Sequence, residues 1–205
     1  MKTYILGNGG FARDIFEQIF LRNPKNSFGG FIILNSDKPF VIDNEGSHEF
    51  EYPSNSSFIL GTGNKKWRKQ FIEHFKQHYP LSATYFPTFC AEDAHISKLA
   101  MIGIGNVFCS FSLINADAQV GDFNCFNAFS TISHDCKMGN YNIISPYAGI
   151  MGYCTIGDSN FIGAHSTVTP KLIIGNDNTI SAGECLFDNL GTRQFFGSGI
   201  VYNKP

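Results

Sequence analysis

Counting in sixes from Ile96 meets an apolar side chain at every step: Ile96, Ile102, Phe108, Ile114, Val120, Phe126, Ile132, Met138, Ile144, Ile150, Ile156, Ile162, Val168, Ile174, Ile180 and Leu186. Two places before many of these the residue is small, as at Ala100, Ser112, Ala118, Ser130, Cys136, Ala148, Cys154 and Ser166. A second period of eighteen lies over the first, in Gly103, Gly121, Gly139, Gly157 and Gly175 and in Asn106, Asn124, Asn142, Asn160 and Asn178. A six-residue unit that repeats itself fully only at every third copy predicts a three-sided coil, with a short strand on each side. Stacked coils at about 4.8 Å pair their backbones along the axis and set identical side chains in ladders. Six is not a helical period, and the segment is rich in Gly, Asn and β-branched residues, so an α-helical reading fails. Sixteen hexads make a little over five coils. Each corner needs a residue tolerant of positive φ, and Gly and Asn are expected to supply it.

Residues 1–86 carry other patterns. An apolar run "TYILG" leads into Gly7-Asn8-Gly9-Gly10, and "FARDIFEQIFLR" then places Phe11, Ile15 and Ile19 at helical spacing. "GGFIIL" and "SSFILGTG" read as buried strands, "NKKWRKQFIEHFKQH" as a second helix and "SATYF" as a last strand. Strand, glycine turn, helix, strand predicts a small Rossmann-like βαβ unit. The expected architecture is therefore an α/β domain over 1–86 followed by an all-β parallel β-helix over 87–205. Gly7, Gly9 and Ala12 fit G-x-G-x-x-[G/A], which would offer backbone N–H groups to a diphosphate; a purely structural glycine turn is the alternative. An acidic residue at the end of the second strand, which a dinucleotide would want, is replaced by Leu34-Asn35-Ser36.

Composition narrows the function classes. A net charge of -2 gives no basic footprint for nucleic acid or an anionic membrane, and no apolar run approaches a bilayer span of about 20 residues. The N-terminus reads as a first strand and not as a signal peptide. The six cysteines form no C-x-x-C pair, so reduced thiols in a cytoplasmic protein are expected, with no structural metal.

Candidate chemistry sits in "TISHDCKMG", Thr131 to Gly139. In its hexad Ile132 and Cys136 point inward, which leaves His134 at the surface with Asp135 beside it. Asp135 can orient an imidazole that acts as general base. Eighteen residues on, Gly152 stacks over His134 and presents a bare amide, as an oxyanion donor requires. The inward, stacked Cys136 and Cys154 read as packing.

Residues 96–186 resemble the hexapeptide-repeat acyltransferases, whose parallel β-helices are left-handed. From "ILGNGGFARDIFE" through "GTGNKKWRK" and "STISHDCKMG" to "FIGAHSTVTP", the chain is similar to bacterial nucleotide-sugar acetyltransferases of the group that includes sialic acid O-acetyltransferases. The resemblance implies His134 as general base supported by Asp135, with the Gly152 amide on the thioester carbonyl. It implies acetyl-CoA as co-substrate along Gly152, Ala164 and Ala182, with no metal. It further implies a homotrimer with active sites between subunits. A UDP- or dTDP-linked amino sugar would be held by Gly7, Asn8, Gly9, Gly10, Asn35, Ser36, Gly63 and Asn64. Two departures stand out: Asn35-Ser36 replaces the family's aspartates, and "FFGSGIVYNKP" replaces its usual tail, with Phe195, Phe196 and Tyr202 available to cover an adenine. The expected activity is N-acetylation of a dideoxy-amino sugar for a surface glycan. O-acetylation of a sialic acid or a related sugar, and a non-catalytic β-helix scaffold, are the alternatives. A carbonic-anhydrase-like metal hydrolase would need more converging histidines than the six present offer.

Overall fold

The computed structural model describes residues 1–21, 27–35, 38–43 and 45–204. Two compact units divide the chain, Met1–Phe89 and Cys90–Pro205.

The first unit contains β1 (Lys2–Leu6), α1 (Gly10–Phe16), β2 (Phe28–Asn35), β3 (Lys38–Asp43), β4 (Gly46–Glu49), β5 (Ser56–Leu60) and α2 (Lys65–Phe75). The sheet order is β4-β3-β2-β1-β5. The strands β2 and β5 both run parallel to β1, which lies between them, whereas β3 and β4 extend the sheet as antiparallel strands. Parallel strands covered on both faces read as continuous apolar runs, and β5, "SSFIL", is buried along its whole length. Ile5, Leu6, Ile32, Phe58, Ile72 and Phe75 form part of this core. Asn64 starts α2 by accepting from the amides of Lys66 and Trp67, the ordinary N-cap arrangement.

Two local readings of the sequence are corrected here. A π-helical turn, Glu17–Leu21, follows α1, so the buried position after Ile15 is Phe20 and not Ile19; wider winding brings i+5 onto the inner face. Residues 82–86 form a turn and not a strand, closed by the Phe86 amide on the Ser82 carbonyl at 2.8 Å. The β3–β4 hairpin had no sequence assignment.

The second unit is a β-solenoid. Among its described residues, seventeen two-residue strands run from Phe89–Cys90 to Cys185–Leu186, one hexad earlier than the apolar count begins. Each pairs in parallel with the strand eighteen residues away, giving three faces. The sixfold apolar residues fill the axis together with Ala118, Cys136, Ala148 and Cys154. After the last coil, Gln194–Gly197 pairs in parallel with Thr179–Ile180, and Ile200–Asn203 returns antiparallel to it. Phe196 from this hairpin is buried in the coil core. It closes the end of the apolar axis, which corrects its expected place over an adenine.

The corners depart most from expectation. Fourteen residues from Gly105 to Gly183, spaced by six, have φ between 54° and 74°. Only the first and last are glycine; the others include Phe111, Asp117, Asp135, Tyr153 and His165. This position lies three after each apolar residue, so the repeated Gly103-type and Asn106-type residues are not the positive-φ sites. The glycines serve close approach: a Cβ on Gly121 would sit 2.8 Å from the Gly139 carbonyl oxygen. The asparagines form a buried ladder, in which Asn142 donates from Nδ2 to Asn124 Oδ1 at 3.0 Å and to the Gly157 carbonyl at 2.9 Å. Its own Oδ1 accepts from the Asn160 amide at 2.8 Å.

Candidate active site

Three corners repeat along the solenoid, and His134 belongs to the one that follows the strands Leu113–Ile114, Thr131–Ile132 and Gly149–Ile150. Asp135 occupies the positive-φ position, at 60°. A straight strand would send adjacent side chains to opposite faces, but this corner turns the carboxylate back. Nδ1 of His134 lies 2.8 Å from Oδ2 of Asp135. An ionised carboxylate only accepts, so Nδ1 carries the proton and Nε2 of the neutral ring keeps its lone pair.

The imidazole lies against Gly152. An ideal Cβ there would be 2.9 Å from Cε1 and 3.0 Å from Nε2 of His134, so no side chain fits without displacing the ring. The Gly152 carbonyl accepts from the Lys171 amide at 3.0 Å, while no hydrogen bond is found for the Gly152 N–H among the described residues. Tyr153 meets the imidazole edge-on, with ring centroids 5.1 Å apart at 87°. Sequence reasoning passed over Tyr153; its signal was the eighteen-residue step from Asp135.

Behind this corner, Cys136 and Cys154 are buried in the core. Each thiol donates to a backbone carbonyl, of Met151 and Thr169 respectively, at 3.1 Å. The hydrogen bond with Cys154, and then burial, push the Cys136 thiol up. Neither sulfur is accessible as a nucleophile.

His134, Asp135 and Gly152 thus come together, whereas Ala164 and Ala182 stand on a different corner of the same chain, after Phe161–Ile162 and Thr179–Ile180. Their amides, like that of Gly152, lack a partner among the described residues.

In the first unit, the turns Gly7–Gly10 and Gly61–Gly63, with Ile33, Leu34 and Trp67, line a cleft of about 330 Å³. Gly7 has φ +115°, and a Cβ there would crowd the Gly61 carbonyl at 3.0 Å. Gly61 lets Ala12 pack close, since its own Cβ would lie 3.0 Å from the Ala12 Cβ. Those positions permit close backbone approach and also line the cleft. Gly9 and Gly63 have no such neighbour within 4 Å and leave the cleft open. The Asn64 side-chain oxygen is engaged as the α2 cap. Asn35 is exposed at the end of β2 and is not in the cleft lining, and Ser36 lies outside the described residues. Trp67, 43% exposed at the cleft, is a further residue that the sequence reading did not select.

Residues 135–170 match the family model "Bacterial transferase hexapeptide (six repeats)". No curated protein sequence matches the chain. Among solved structures, WeeI from Acinetobacter baumannii AYE aligns over 98% of this chain and 99% of its own, with 18% identity and TM-score 0.82. PerB from Caulobacter crescentus, in complex with CoA and GDP-perosamine, aligns over 98% and 97%, with 20% identity and TM-score 0.80. The acetyltransferase domain of PglB from Neisseria gonorrhoeae FA1090 aligns over 97% and 94%, with 20% identity and TM-score 0.73. At such identity the likeness is one of fold.

Proposed function

We propose that the chain is an acetyl-CoA-dependent sugar N-acetyltransferase whose acceptor is a nucleotide-linked amino sugar, acting in the cytoplasm in surface-glycan synthesis. The observation that carries this reading is the His134–Asp135 pair set against an unpartnered Gly152 amide. Nε2 of His134 takes a proton from the sugar amine as the nitrogen attacks the thioester carbonyl. The new C–N bond leaves an oxyanion that accepts from the Gly152 N–H. Collapse breaks the C–S bond, and the imidazolium returns its proton to the departing thiolate. The complex of PerB with CoA and GDP-perosamine, a nucleotide-linked amino sugar, supports this class of reaction. We read β1, α1, β2 and β5 as a small Rossmann-like unit whose glycine-lined cleft holds the nucleotide. Ala164 and Ala182 stand on another corner from His134. A second copy in a trimer would supply that alanine corner to the first copy's histidine.

The test is CoA release from acetyl-CoA with UDP-, dTDP- and GDP-linked amino sugars, free sialic acid, and no acceptor. One amino sugar nucleotide is expected to turn over, with kcat reduced roughly 10²–10⁴-fold in His134→Ala. Turnover on free sialic acid alone would move the assignment to O-acetylation. An unaffected mutant would remove the histidine from the mechanism.

A further inference from the structure

Asp135 engages Nδ1 of His134, and Gly152 lets the ring lie close against the next coil, yet neither contact sets the plane of the imidazole. The last torsion of a histidine side chain turns in a broad, two-fold well. A hydrogen bond between side chains that are 51% and 40% exposed also competes with water. Gly152 brings no side-chain atom to the contact. The remaining wall of the ring's surroundings is Tyr153.

Tyr153 holds the positive-φ position eighteen residues after Asp135, at 63°. Its amide donates to the His134 carbonyl at 3.2 Å, so its backbone is tied to the residue whose ring it meets. On another corner, rings at successive positive-φ positions stack nearly parallel. Phe129 and Tyr147 are 4.8 Å apart at 4°, and Tyr147 and His165 are 4.7 Å apart at 5°. On the His134 corner the neighbours of Tyr153 in that register are Asp135 and Lys171, which offer no ring. Tyr153 meets the imidazole instead, at 87° and 5.1 Å between centroids, within the range in which perpendicular aromatic pairs attract. Among the described residues no other ring lies against it, and its hydroxyl has no hydrogen-bond partner. The side chain is 56% exposed, so burial in the core does not account for its place.

We infer that Tyr153 is a positioning residue for the acetyl transfer, a role that rests on His134 being the base as proposed above. Its ring holds the imidazole in one plane and keeps water from the bond between Nδ1 and Asp135. With Asp135 accepting, the neutral ring is the Nδ1–H tautomer and Nε2 has a free lone pair. A ring free to turn would exchange with the Nε2–H tautomer, whose Nε2 takes no proton from an acceptor. Tyr153 acts through the histidine and needs no contact with either substrate.

Two variants test it: Tyr153→Ala, which removes the wall, and Tyr153→Phe, which keeps it without the hydroxyl. Both are expected to fold, since the side chain is exposed and phenylalanine already stands at this register in Phe111 and Phe129, at φ 58° and 60°. Ring-nitrogen NMR of the ¹⁵N-histidine-labelled protein reads the tautomer of the neutral imidazole, with His134 assigned by its loss in His134→Ala. Wild type and Tyr153→Phe should show the Nδ1–H tautomer, and Tyr153→Ala should show shifts averaged toward those of free histidine. In steady-state kinetics kcat should fall roughly 10–100-fold in Tyr153→Ala, with the KM of both substrates unchanged, and should return in Tyr153→Phe. Unchanged nitrogen shifts in Tyr153→Ala overturn the role, and a lower kcat beside them makes Tyr153 a substrate contact. A lost tautomer with kcat intact overturns it as well, because the orientation would then not matter to transfer. Equal losses of kcat in Tyr153→Phe and Tyr153→Ala would assign the effect to the hydroxyl and also overturn it. If wild type acetylates no acceptor, the proposed function fails separately, and the nitrogen spectra still decide whether Tyr153 fixes the ring.

Discussion

At the Gly–Asn corner, the amides of Ile104, Asp122, Asn140, Asp158 and Asn176 each donate to a side chain of the following coil, at 2.7–3.1 Å. Asparagines 106 to 178 close the same corner from inside, fully buried. At the His134 corner the equivalent amides of Ala116, His134 and Gly152 have no such partner, and Pro170 has no N–H at all. Both corners obey the same backbone geometry, with the positive-φ amide donating to the carbonyl nineteen residues back, as Tyr141 does to Asp122 and Tyr153 to His134. The difference therefore lies in the side chains alone. One corner spends its backbone amides and its asparagines on holding coil to coil; the other leaves the Gly152 amide unpartnered among the described residues, and under the proposed function that amide and His134 serve a ligand. On that proposal, stability and chemistry are separated around the circumference of the same solenoid.

That separation is broken most severely if His134→Ala lowers stability or Asn142→Ala lowers the intrinsic rate. The first is expected to remove roughly 10²–10⁴-fold of kcat and to leave the melting temperature unchanged, since an exposed side chain is lost. The second deletes four hydrogen bonds and strands the Gly157 carbonyl and the Asn160 amide in the interior. At about 1–3 kcal/mol for each buried unsatisfied group, the loss is about 4 kcal/mol. Scanning calorimetry should find the transition lowered by roughly 10 °C, with kcat per folded molecule unaltered at 25 °C. A heat-stable Asn142→Ala protein would deny the ladder its role.

Gly152→Ala is the sharper comparison, because it adds one methyl where the two functions meet. The three atoms nearest to that methyl all belong to the His134 ring, at 2.9–3.4 Å. An exposed ring can swing aside, so unfolding should shift by no more than about 0.5 kcal/mol. The base is then misplaced, and a displacement near 1 Å is enough for roughly a 10²-fold loss of kcat. Gly121→Ala makes the contrast, since its methyl would strike the Gly139 carbonyl at 2.8 Å. It should destabilise while sparing the rate.

The sequence exposed the solenoid because sixfold burial leaves a period that no other fold shares, and the axis residues Ile132, Ile144 and Ile150 are indeed wholly buried. It misassigned the corners because glycine has two uses, freedom in φ and absence of Cβ. Gly121 and Gly139 are there for the second, while Phe129 and Tyr147 carry the strained φ. Side-chain ladders along the axis compensate that strain, and a single chain shows neither the ladder nor its geometry until coils are stacked. The pairing of His134 with Asp135 was undecidable for the same reason: it depends on the φ of Asp135. The β3–β4 hairpin escaped because Pro39 and its short polar partner strand gave weak alternation.

The smallest expected effect probes that strain directly. Asp117 sits at φ 59° on the His134 corner, one coil before Asp135, exposed. In the left-handed region an L-residue is disfavoured by roughly 1–2 kcal/mol, a penalty that Asp117→Gly removes. Glycine also has more freedom to lose on folding, which offsets part of the gain. The net is a stabilisation below about 1 kcal/mol, read as a rise of one or two degrees in the melting temperature. Asp135→Gly relieves the same strain but takes the carboxylate from His134 Nδ1, so its rate should fall while its stability rises. If both substitutions raised stability and neither touched the rate, Asp135 would be a corner residue like Asp117, and the two aspartates, alike in backbone, would be alike in function as well.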